Sequence, residues 1–130
     1  MLLRKFMSRM GIGSATIDLV LNDVSYRVGE CIKGEYVIIG GTIEQKIKRI
    51  ESDLVQIVNK DEDQVKLIVN NSILSTTTIF SEEERVISFS CALPANLPVS
   101  DKHTSYRFIT RLIFDNGVNS IDHDEIIIQT

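Results

Sequence analysis

Hydrophobic and polar residues alternate with a period of two along most of this chain. Ala15, Ile17, Leu19 and Leu21 are spaced by Thr16, Asp18 and Val20, as in a half-buried strand, and Asn22-Asp23 then turns the chain. After a turn at Val28-Gly29-Glu30, Ile32, Gly34, Tyr36 and Ile38 share one face of a second strand, with Cys31, Lys33, Glu35 and Val37 on the other; Gly40-Gly41 ends it. Ile47 to Val58 also reads as a strand, but both of its faces carry apolar residues, so alternation alone leaves its register open. Asn59 to Asp63 is a polar hairpin loop, and Val65 to Val69 returns from it. Ile73 to Phe80, rich in Thr and Ile, suits a pleated surface, and Ser81 to Glu84 is a second polar turn. Ile87, Phe89, Cys91 and Leu93 then alternate with Val86, Ser88, Ser90 and Ala92. Pro94 and Pro98 bracket a loop, since proline cannot donate to a ladder. Tyr106, Phe108, Thr110, Leu112 and Phe114 line one face of a further strand, Asp115-Asn116-Gly117 signals a tight turn, and Glu125 to Gln129 forms the last strand. About eight strands at this spacing predict an all-β sandwich.

The first ten residues break the pattern. Leu2, Leu3, Phe6, Met7 and Met10 recur at helical spacing among Arg4, Lys5, Ser8 and Arg9, which predicts a short amphipathic helix stopped by Gly11 and Gly13. The division is therefore a 1–13 amphipathic segment followed by one domain over 14–130. A chain of 130 residues supports a single core, and 43% hydrophobic with 25% charged residues is the balance of a globular domain. The net charge of −4 argues against a nucleic-acid binder, which needs clustered cations to neutralise phosphates. Charge is uneven: Arg4, Lys5 and Arg9 stand without an acid in the first ten residues, leaving 11 positive against 18 negative residues in the remainder, or −7. No apolar run approaches a membrane span and no secretory stretch follows the basic start, so a cytoplasmic location is expected.

Three segments carry a resemblance: Tyr26-Arg27-Val28-Gly29-Glu30-Cys31-Ile32-Lys33-Gly34 ahead of a Gly-Gly turn, Ile87-Ser88-Phe89-Ser90-Cys91-Ala92-Leu93-Pro94 closing on Leu97-Pro98, and the Asp-rich stretch near the end. Their order and spacing, with Gly11-Ile12-Gly13-Ser14-Ala15, resemble the bacterial sporulation-control family called stage 0 sporulation M proteins. The resemblance covers essentially the whole chain. It implies an arrestin-like (immunoglobulin-like) sandwich and a cytoplasmic, non-enzymatic regulator or scaffold that acts through protein contacts. Family members usually carry two arrestin-like halves, and Ile126 to Thr130 falls where the first half would end. Val28 stands where many relatives place a proline.

Candidate chemistry changes this picture little. Asp122-His123-Asp124-Glu125 is the densest set of metal-ligand types, but it reads as a solvated turn with no distant partner and no calcium-loop glycine. His103 lies among hydroxyls and Asp101 without a nucleophile elbow. Parity turns Cys91 inward and Cys31 outward, so two free thiols are expected. Asn70-Asn71-Ser72 matches a glycosylation acceptor without a secretory context, and the acidic groups Asp61-Glu62-Asp63 and Glu82-Glu83-Glu84 read as solvated loops. No catalytic, cofactor or metal residue is assigned. Contact with a membrane surface or a partner is assigned to Leu2, Leu3, Arg4, Lys5, Phe6 and Arg9, with packing on the sandwich as the competing reading. The leading function is a regulatory or scaffolding protein-interaction module with protein partners and no nucleic acid; the alternatives are a peripheral membrane adaptor and a small ligand- or metal-binding sandwich.

Overall fold

The computed structural model describes residues 13–59, 64–117 and 119–130. They form eight strands, β1 (Thr16–Leu21), β2 (Ser25–Arg27), β3 (Cys31–Ile39), β4 (Gln45–Val58), β5 (Val65–Ile79), β6 (Glu84–Ala92), β7 (Thr104–Phe114) and β8 (Asn119–Gln129). No helix occurs among the described residues, and none is long and apolar enough to cross a membrane. The amphipathic helix predicted near the start, its residues Leu2, Leu3, Arg4, Lys5, Phe6 and Arg9, and the acidic group Asp61-Glu62-Asp63 lie outside the described residues.

The strands make two sheets, one of three strands in the order β1-β3-β6 and one of five in the order β2-β8-β7-β4-β5. Every neighbouring pair is antiparallel except β2 and β8, which run parallel from Ser25↔Ile127 to Arg27↔Gln129. The two sheets stack face to face over one core. Ile17, Leu19, Ile32, Tyr36, Ile38, Phe89 and Cys91 enter it from the smaller sheet; Ile47, Ile50, Leu54, Tyr106, Phe108, Leu112, Phe114, Ile126 and Ile128 enter it from the larger. Phe89 links the layers, with its ring edge-to-face against Tyr36 at 5.3 Å and against Phe108 at 5.5 Å.

The ambiguity of β4 has a physical cause. Ladder shifts between Ile47 and Arg49 insert an extra residue, so Ile47 and Ile50, three apart, both reach the core. Farther along, Leu54 pairs with Phe108 and Gln56 with Tyr106 toward the core, which puts Val55 and Ile57 on the outer face. They are buried there at 5% exposure each, so an apolar residue on this strand does not reveal its side.

Two sequence readings are corrected. The stretch read as separate strands before and after Asn70-Asn71-Ser72 is one 15-residue strand, β5, because β4 pairs with it throughout: Ser52↔Asn71 and Asp53↔Asn70 continue the ladder. The last strand begins at Asn119 and not at Glu125, and Asp122-His123-Asp124, read as a solvated turn, lies within it. Polarity suggested a loop where ladder bonds to β7 hold a strand. The turn at Asp115-Asn116-Gly117 is as expected: the Gly117 amide donates to the Phe114 carbonyl at 3.1 Å, with Gly117 at φ 82°.

Candidate functional site

On β8, Asp122 and Asp124 are two residues apart and therefore share a face, the one continued by buried Ile126 and Ile128. His123 falls between them on the opposite, exposed face, opposite Ile109 of β7, and cannot join their oxygens at one centre. The distant partner that the sequence did not offer is Asp18 of β1. Oxygens of Asp18, Asp122 and Asp124 all lie within 4.8 Å of one another.

This cluster sits where the edge of the three-stranded sheet meets the larger one. Asp122 Oδ2 accepts a hydrogen bond from the Leu19 amide at 2.9 Å, satisfying a backbone donor on the outer strand β1. Asp124 Oδ2 is buried without a hydrogen-bond partner. Its carboxyl is pushed up to about 7, first by desolvation, then by a side-chain hydrogen bond with Asp122 and by the charges of Asp122 and Asp18. Asp18 is raised as well, by desolvation first and by Asp122 second. Burial and the neighbouring carboxylates disfavour the charged form of Asp124, so the crowded cluster favours its protonated form. A hard cation would relieve the crowding too, but calcium takes six to eight oxygens. Three carboxylates among the described residues supply only part of that set, and the nearby Leu19 amide offers a donor where a ligand would be needed.

The opposite flank is closed differently. Arg85 of β6 donates through Nη2 to the Thr78 carbonyl at 2.9 Å and through Nη1 to Thr77 Oγ1 at 3.3 Å, both on β5. Glu83 holds the guanidinium from Nε at 3.0 Å and Nη2 at 2.7 Å and also accepts the Phe80 amide at 2.9 Å. These hydrogen bonds keep the Glu83 carboxyl below its ordinary value, the Phe80 amide contributing most. The acidic turn is thus partly a structural device: Glu83 is committed, while Glu82 and Glu84 are exposed.

His103 borders a cavity of about 360 Å³ lined by Ile57, Asp101, Lys102, Thr104, Ser105, Arg107 and Glu125. Asp101 Oδ1 accepts the His103 amide at 2.7 Å and the Thr104 amide at 2.8 Å, which holds its carboxyl low. That oxygen shapes the backbone of the loop. Cys31 is exposed and Cys91 buried on neighbouring strands, both free, as strand parity predicts. Asn70 belongs to β5, where its Nδ2 donates to Asp53 Oδ1 at 2.6 Å.

The family model described as SpoOM protein, Spo0M, matches residues 3–130. The chain belongs to this family. It is 30% identical over 131 residues to the sporulation-control protein spo0M of Bacillus subtilis (strain 168), an alignment that covers 97% of this chain and 51% of that protein. The crystal structure of Bacillus subtilis Spo0M superposes with a TM-score of 0.83 at 27% identity, over 92% of this chain and 51% of that one. The chain therefore spans about half the length of the Spo0M relatives it matches. A second solved structure, Pseudomonas fluorescens alkylpurine DNA glycosylase AlkC bound to DNA containing an abasic site analog, matches with a TM-score of 0.52 at 12% identity, over 93% of this chain and 32% of that one. At that identity the likeness concerns the fold alone.

Proposed function

We propose that this chain is a non-enzymatic regulatory module of sporulation control, an arrestin-like half-unit that acts in the cytoplasm by binding other proteins along an open strand edge. The observation that carries the reading is β5. It is the outermost strand of the five-stranded sheet, 15 residues long, and it exposes Val65, Leu67 and Ile73, Leu67 at 55%. Such an edge offers unpaired backbone groups to an incoming strand, and its side chains add apolar contact. A non-catalytic reading is supported at His103, where Asp101 Oδ1 is held by the His103 and Thr104 amides and shapes the loop.

The test is genetic and structural together. In a sporulating host whose own copy has been removed, the wild-type chain should shift sporulation frequency relative to an empty control. The Leu67→Lys/Ile73→Lys variant, altered only at exposed positions, should fold and fail to do so. A wild-type chain without effect would refute the regulatory reading, and a fully active variant would refute the β5 edge as its binding surface.

A further inference from the structure

The outer face of the three-stranded sheet holds an apolar cluster ringed by acids. The ladders set its rows: Thr16, Ile39 and Glu84; then Asp18, Val37 and Val86; then Val20, Glu35 and Ser88. Ile39, Val37, Val86 and Val20 are therefore neighbours, directly or on the diagonal. Val86 is 50% exposed, Val20 46% and Ile39 41%, where a two-layer fold ordinarily presents polar residues. Glu84, Asp18 and Glu35 border the cluster on β6, β1 and β3, and on these strands the outer face adds a single cation, Lys33, one row beyond Glu35. Asp18 and Val20 also line a cavity of about 300 Å³ at the β1 edge, with Asp23, Val24, Asp124 and Glu125 and no cation in its described lining.

We infer that this face docks a cationic amphipathic helix of another protein, with the helix's apolar stripe on Ile39, Val37, Val86 and Val20 and its lysines or arginines toward Asp18, Glu35 and Glu84. Charge selects the occupant. With three acids against Lys33, the face repels an anionic lipid surface and the identical face of a second copy, and attracts a partner of opposite sign. A long cationic side chain can rest its stem on exposed Val20 and Val24 and put its head among the carboxylates of the β1-edge cavity. Shape selects a helix. Three strands about 4.8 Å apart make a face about 10 Å wide, the diameter of one helix with its side chains. An added strand would instead need free backbone on the β1 edge, where the Leu19 amide is already bonded to Asp122 Oδ2. The surface is separate from the β5 edge, which belongs to the other sheet.

The test uses the full chain and two synthetic amphipathic peptides, one of leucine and lysine at helical spacing and one with glutamate in place of lysine. The leucine–lysine peptide should shift the amide signals of residues 16–20, 35–39 and 84–88 and bind at least about ten-fold more tightly than the leucine–glutamate peptide. Val20→Ser/Val86→Ser and Glu35→Lys/Glu84→Lys, both altered at exposed positions, should each weaken that binding about ten-fold, the second also flattening its salt dependence. Unchanged signals from core residues establish that each variant folds. The Leu67→Lys/Ile73→Lys variant should bind as the wild type does. Equal binding of the two peptides overturns the inference, and so does wild-type affinity in either folded face variant. Loss of binding in the β5 variant would move the contact to that edge and overturn it as well. Shifts of the same amides on dilution without peptide would seat a second copy on the face. Co-sedimentation of the wild type with phosphatidylserine vesicles, lost in Val20→Ser/Val86→Ser, would give the face to lipid; either result overturns the inference.

Discussion

Ser52 on β4 and Thr110 on β7 face each other across a ladder in the middle of an apolar core, both with no measurable exposure. They are tolerated because they complete a chain: the Tyr36 hydroxyl donates to Ser52 Oγ at 3.0 Å, and Ser52 Oγ lies 2.9 Å from Thr110 Oγ1. The chain runs from the smaller sheet into the larger and fixes their relative register. Burial raises the Tyr36 hydroxyl above its ordinary value, so it remains a donor at any physiological pH. Ser52→Ala leaves both neighbours short of a partner and should cost about 1–3 kcal/mol in urea unfolding. Replacing all three polar groups at once, as Tyr36→Phe/Ser52→Ala/Thr110→Val, should cost less than the three single changes combined. Asp124 makes the second prediction at this scale. Its carboxyl has the ordinary aspartate value of 3.8 when unfolded and is pushed up to about 7 when folded, so the native state favours the extra proton between those values. Its contribution is fully present below the unfolded value and is lost as pH rises through 7. Because Asp124 is only partly buried, screening reduces the effect to about 1–2 kcal/mol. Thermal melts should show the wild type losing stability from pH 5 to 8, while Asp124→Asn, which cannot ionise, stays flatter and is the more stable protein at pH 8. Parallel curves for the two proteins would remove the cluster as the cause.

At the scale of elements, the two flanks of the stack are closed by single side chains, Asp122 reaching β1 on one side and Arg85 reaching β5 on the other. Arg85→Ala should leave the fold intact and speed amide exchange at residues 77–79 about five-fold, with β1 unaffected. Closeness between strands is also set by a missing side chain: a Cβ on Gly34 of β3 would collide with the Val20 carbonyl of β1. Gly34→Ala should therefore push β1 outward and destabilise by about 1–3 kcal/mol in urea, more than its propensity alone predicts. These elements also show how far the sequence could be read. Strands with one apolar face, β3, β6 and β7, were legible from alternation, and so was the opposite siding of Cys31 and Cys91. β4 was ambiguous because a bulge and a buried outer face defeat the period of two. β8 was cut short because its inward positions include two aspartates, a local pattern that reads as a turn unless the strand across the flank is known. That strand is remote: Leu19 and Asp122 are 103 residues apart, and no local signal marks Asp18 as their companion.

Across the whole molecule, a single core receives side chains from both sheets, and the Tyr36–Phe89–Phe108 ring series passes through it without a gap. Neither sheet can cover its inner apolar face if the other leaves, so the two should unfold as one cooperative unit. The free thiols report on this directly. Cys31 is exposed and Cys91 is 3% exposed on β6, an outer strand of the smaller sheet. Burial also holds the Cys91 thiol above its ordinary value, which suppresses the reactive thiolate in the native state. Under native conditions one thiol per chain should react at once with a soluble disulfide reagent. The second should react only through opening, at a rate reduced by at least about 10³ relative to the unfolded chain, as a stability of 5 kcal/mol or more requires. The opening free energy obtained from Cys91 should agree with that from urea unfolding to within about 1 kcal/mol. If Cys91 reacts far faster than global unfolding allows, β6 opens on its own, Arg85 is then a hinge for that edge strand, and the single-unit account of the fold is wrong.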